Sequence, residues 1–148
     1  MTQARDIADS NFTSIGGLQL GGTGADNLLD DYETGTFTPT MSAGSGTITT
    51  QSATGEYVKV GNVCFIHMVL TLTNKGTASG SLLVSGLPFA SGTLRLPMIC
   101  RENAQTGVVE QFVVDQDATT GFLKATGGGN VTMASGNVRL IGGSYITA

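Results

Sequence analysis

The segment Val63–Thr73 constrains this chain more than any other. Its even positions, Cys64, Ile66, Met68, Leu70 and Leu72, are all apolar, so an extended backbone places them on one unbroken face. The alternate face, with Val63, Phe65, His67 and Val69, is also largely apolar, which a strand with one side in water would not need. Such a strand expects cover on both sides.

The same period-two pattern predicts further strands over residues 47–52, 81–85, 94–101, 108–114, 122–126, 131–134 and 138–146. The separators carry turn chemistry, as in Asn74-Lys75-Gly76, Gly127-Gly128-Gly129-Asn130 and Ser135-Gly136-Asn137. Between Val60 and Val63, Gly61-Asn62 reads as a two-residue hairpin of type II′. With 22 glycines and many threonines the composition disfavours helices. About eight to ten short strands at this spacing predict an all-β antiparallel sandwich, jelly-roll-like, with no internal repeat.

Residues 1–31 read differently. Their Gly-rich stretch is too thin to bury a core, and Leu18, Leu20, Leu28 and Leu29 need a partner surface. The expected organisation is therefore a neck or stem over 1–31 and a head domain over 32–148. So abrupt a neck suggests a fragment, or a protein that docks on another through its N-terminal segment.

A chain of 148 residues suits one domain and can bury a core without staples. Only 12% of residues are charged, and the mean hydropathy of +0.15 is high for a small soluble monomer. Part of the outside is thus expected to be an interface in a homo-oligomer. A net charge of −4 and the lack of any basic run argue against a nucleic-acid partner. No apolar stretch reaches the roughly 18 residues of a membrane span, and no secretory leader is evident. Cys64 and Cys100 sit in apolar strands and are expected as reduced core thiols. With one histidine they cannot close a common zinc site, and neither a metal nor another cofactor is expected.

Little points to catalysis. The single histidine, His67, lies inside the longest apolar strand, so a structural or interface role is expected, with a pH-tuned contact as the sharper variant. Nothing around the serines resembles a nucleophile elbow, and the carboxylates are too few to read as a glycosidase pair. Asp115-Gln116-Asp117 would need a further ligand, from another chain for example, to hold a cation. Gly22-Thr23-Gly24 lacks the lysine of a phosphate loop. Arg101, Glu102, Asn103, Gln105, Asp115, Gln116 and Asp117 are the candidate recognition residues, being polar groups on presumed surface loops of a rigid β scaffold. No tryptophan is present to stack on a sugar, which leaves Tyr32, Tyr57 and Tyr145.

Three blocks carry a family resemblance. The run from Gly21 through Leu29-Asp30-Asp31-Tyr32-Glu33-Thr34-Gly35-Thr36-Phe37-Thr38-Pro39 is the first, and Gln51 through Gly55-Glu56-Tyr57-Val58-Lys59-Val60-Gly61-Asn62 is the second. Thr71 to Gly76 together with Ser85-Gly86-Leu87-Pro88-Phe89 is the third, and Gly142-Gly143-Ser144-Tyr145-Ile146 forms a closing match. Together they resemble the C-terminal receptor-binding head of bacteriophage tail fibres; residues 90–140 match only loosely. The resemblance implies a parallel homotrimer at the distal end of a tail fibre, extracellular when it works, binding a host surface glycan or protein without catalysis. Threefold symmetry comes from the resemblance, since composition alone allows a dimer. A purely structural virion piece and a glycan depolymerase fragment are the alternatives. Pro39 should sit at a strand end, and Gly55, Gly61 and Gly86 should serve turns.

Overall fold

The computed structural model describes residues 31–148 and, upstream, the paired backbone of β1 (Leu18–Gln19) and β2 (Leu28–Leu29). The rest of the expected neck lies outside the described residues. From Tyr32 the chain forms β3 (Tyr32–Phe37), β4 (Thr40–Ser45), β5 (Thr50–Val60), β6 (Val63–Asn74), β7 (Ser79–Ser85), β8 (Leu96–Glu102), β9 (Val109–Val114), β10 (Thr120–Ala125) and β11 (Asn137–Ile146). The described residues contain no helix, as the glycine and threonine content requires.

All nine strands join one antiparallel sheet in the order β3-β5-β6-β11-β8-β9-β10-β7-β4. The all-β class is therefore as expected, but hydrogen bonding runs continuously where the strand spacing suggests a sandwich of two sheets. The result is a half-barrel. Neighbouring strands rotate by roughly 20° per step, so eight steps bring the ends of the sheet round towards each other. One core fills the concave side: Met41, Ile66, Met68, Leu82, Val84, Phe112, Val114 and Leu123 belong to a single cluster, although β4 and β6 are far apart in sheet order.

The open side is closed by a side chain. The Gln51 amide oxygen accepts from the Met41 N–H at 2.7 Å, and its amide nitrogen donates to the Met41 carbonyl at 2.7 Å. A strand neighbour would make these two bonds, so Gln51 gives the edge of β4 a substitute for one.

Two Gly-x-aromatic runs explain the first two sequence blocks. Gly35 stands opposite Tyr57, and Phe37 opposite Gly55, in the β3–β5 ladder. Each ring lies over the other strand's glycine: a Cβ on Gly55 would come 2.4 Å from the Phe37 ring, and one on Gly35 2.8 Å from Tyr57. Gly55 is thus a mid-strand platform for an aromatic ring, which corrects the turn expected there. Gly61 does turn the chain, with φ of 57° between paired Val60 and Val63, as a type II′ hairpin requires.

The other blocks meet the same cluster. The Tyr145 hydroxyl donates to the Phe89 carbonyl at 3.0 Å and accepts from its N–H at 3.3 Å. The Phe89 ring stands edge-on to Tyr57 at 5.2 Å, with the Lys59 ammonium 5.4 Å from its centre. These motif residues build scaffold.

Against the expected strands, β3 and β4 are additional, the strand expected over 47–52 is β5 (Thr50–Val60), and residues 131–134 form no strand. Cys64 and Cys100 are free and buried, as expected. Burial is the main force raising the Cys100 thiol, which is pushed up to about 12 with help from the nearby Glu110 carboxylate.

Candidate functional site

The expected recognition residues separate into two groups at opposite ends of the sheet. Arg101, Glu102, Asn103 and Gln105 lie at the C-terminal end of β8, whereas Asp115, Gln116 and Asp117 follow β9, opposite the start of β8. The length of β8 keeps the groups roughly 20 Å apart, at about 3.4 Å per residue. They do not form one site.

Glu102 leaves the surface group altogether, because it faces the interior and is 1% exposed. Burial opposes its ionisation, but N–H groups of Thr106, Ala104 and Gln105 and the Thr106 hydroxyl donate to it and hold its carboxyl far below the usual range. It is the clasp of the loop after β8. Asn103 and Gln105 remain exposed, with the Gln105 amide donating to the Ser135 carbonyl. Asp115 accepts from the Thr120 hydroxyl at 3.1 Å and lies 3.5 Å from Arg95, while the Gln116 amide donates to the Thr93 carbonyl. Asp117 takes a left-handed φ of 48°, which aspartate tolerates in a turn. Among the described residues no group of three or more acidic, histidine or cysteine side chains is placed to hold a metal ion.

Inside, next to Glu102, Arg139 forms a two-toothed ion pair with Glu110 at 2.6 and 3.1 Å, and Arg139 also donates to the Thr132 carbonyl. Both side chains are buried. An arginine within Val138-Arg139-Leu140-Ile141 and a glutamate within Val109-Glu110-Gln111-Phe112 were the sequence signal for this pair. Removing one partner would strand a buried charge.

The outer, convex face is where the structure leaves something open. Register places Val58 beside Phe65, Val69 beside Leu140, and Gly142 between His67 and Ile99. Phe65 is 51% and Ile99 71% exposed, so no described part of the chain covers them. A trough of about 910 Å³ runs over these strands, lined by Val69, Ile99 and Leu140 with Glu56, His67 and Arg101 set among them. The alternate face of β6 was legible in sequence; its extension through Ile99 and Leu140 was not, because only the sheet order makes β8 and β11 its neighbours. Contiguous apolar surface of this kind marks a place of contact. Glu56 stands directly across from His67, and a Cβ on Gly142 would come 3.1 Å from the imidazole, so the ring lies against β11.

An all-β module with an apolar sheet face that no other described residue covers is what the fold and this face define. No family model matches the chain. Over 94 residues, 63% of its length, it is 37% identical to a depolymerase specific for capsule KN4 from Klebsiella phage K64-1, and it spans 11% of that protein. That likeness ties the chain to a bacteriophage protein.

Proposed function

We propose that the chain is the tip of a bacteriophage tail fibre, which binds a receptor on the host bacterial surface as a homotrimer and performs no catalysis itself. The observation that carries this reading is the 37% identity over 94 residues to a phage protein named for a bacterial capsule. In the trimer the β5–β6 side of the outer face, with Val58, Phe65 and Val69, is the subunit contact, which supplies the second cover that β6 demands and leaves Arg101 on β8 outside it. Three weak receptor contacts on one rigid head then act together through effective concentration. The module works at the distal end of the fibre, outside the cell, with its N-terminal segment joined to other tail proteins.

The test has two parts. Light scattering on a sizing column should report three times the chain mass of 15.1 kDa. Purified protein should also block phage adsorption to a susceptible host. A monomer that neither binds nor blocks would sink the reading.

The name of the relative favours one other reading, that the chain is a piece of a capsule-degrading enzyme. Release of reducing ends from host capsule by the purified chain would put that reading in place of the first.

A further inference from the structure

In a chain with 7 cationic side chains against 11 acidic ones, where the cations point is informative. Lys59 pairs with Asp31, Arg139 is buried against Glu110, and the Lys75 ammonium donates to the Ala78 carbonyl. The other described cations, Arg95, Arg101 and Lys124, project from one surface, the outer face of β8–β10. Register sets Ile99, Gln111 and Lys124 in one row across the strands, and Pro97, Val113 and Phe122 in the next. Arg101 stands one step beyond the first row and Arg95 one step beyond the second. The Arg95 guanidinium and the Lys124 ammonium each lie 5.7 Å from the centre of the Phe122 ring, close enough for the ring to steady both. Glu102 and Glu110, the carboxylates of these strands, are turned inward and buried. The face itself therefore carries positive charge alone, with Asp115 at its rim against Arg95.

We propose that this face binds an acidic polysaccharide. Sugar carboxylates meet Arg95, Lys124 and Arg101, while the Gln111 amide between them bonds to hydroxyls. From Arg95 to Arg101 the surface runs roughly 20 Å at about 3.4 Å per residue, room for several sugar units. Charge complementarity selects the partner: among the described residues, this face alone gathers several cations, and the acidic net charge of the molecule repels a polyanion elsewhere. Three well-spaced cations suit a chain with intermittent carboxylates better than a nucleic acid, whose duplex carries a charge about every 1.7 Å. The inference rests on the host-surface reading above and deepens it by naming the class of glycan and the face that holds it.

The experiment titrates the whole chain with polygalacturonate, neutral dextran and single-stranded DNA at low and high salt, beside adsorption to host cells. Binding of polygalacturonate alone, weakened by salt, is the expected result. The double variant Arg95→Gln/Lys124→Gln should bind about tenfold more weakly, while Lys75→Gln, with one cation lost elsewhere, should match the parent. Unchanged urea midpoints establish that the variants are folded. Equal affinity of the double variant, or DNA bound as tightly as polygalacturonate, overturns the proposal. A chain that adsorbs to cells yet ignores polygalacturonate overturns it while leaving the host-surface reading intact; one that does neither overturns both.

Discussion

Replacing Gln51 with alanine removes the side-chain hydrogen bonds that join β5 to the edge of β4. The amide makes two 2.7 Å bonds to the Met41 backbone, and Met41 is itself buried. Without the amide, one N–H and one carbonyl are left in a poorly hydrated place, at about 1–3 kcal/mol each. Water reaches the half-buried Gln51 position and recovers part of this, so the expected loss is about 2–4 kcal/mol, a large share of a typical domain's stability. Urea unfolding followed by intrinsic fluorescence measures it. The variant Gln51→Glu sharpens the reasoning, because a carboxylate still accepts from the Met41 N–H but repels the Met41 carbonyl. Its carboxyl should therefore be raised in the folded state. Relative to the parent, this variant should recover stability below about pH 4, where a protonated carboxyl again offers a donor, and lose it as the pH rises. A loss under about 0.5 kcal/mol for the alanine variant, or no pH dependence for the glutamate one, would refute the idea that Gln51 closes the half-barrel.

Other substitutions probe other parts of the fold. Glu102→Gln should lower stability at neutral pH by more than about 2 kcal/mol, since several donors lose a charged acceptor. The Glu102 carboxyl is depressed from its ordinary value of 4.5, so its contribution is present above that value and fades as the pH falls below it; the gap between parent and variant in acid titrations should narrow accordingly. Gly55→Ala should cost about 1–3 kcal/mol by pushing the Phe37 ring off β5, measured by thermal unfolding. Cys100, with its thiol raised to about 12, should resist alkylation at pH 8 until denaturant is added, as read by mass spectrometry.

How much was legible in the residues depends on the range of the physics involved. Period-two burial is local, since successive side chains of a strand point to opposite faces. Cys64, Ile66, Met68, Leu70 and Leu72 were therefore identifiable as core without coordinates, and all are buried. The Gly61 hairpin was equally local. The fate of Glu102 was not: a polar residue next to Asn103 looks like loop, and only the inward side of β8 and the donors of Ala104 to Thr106 make it a buried clasp.

The sequence by itself determined the all-β class, the two-faced β6 and the hairpin. Each follows from near-neighbour sterics or from alternation along one strand. The order of strands was decided only in the tertiary structure, because pairing between distant segments is set by collective burial and by the accumulated twist of the sheet. That order parts Arg101 from Asp115, brings Ile99 and Leu140 beside His67, and gathers Arg95, Arg101 and Lys124 on one face. A strand pattern says which side chains share a side; the sheet alone says which strands share it.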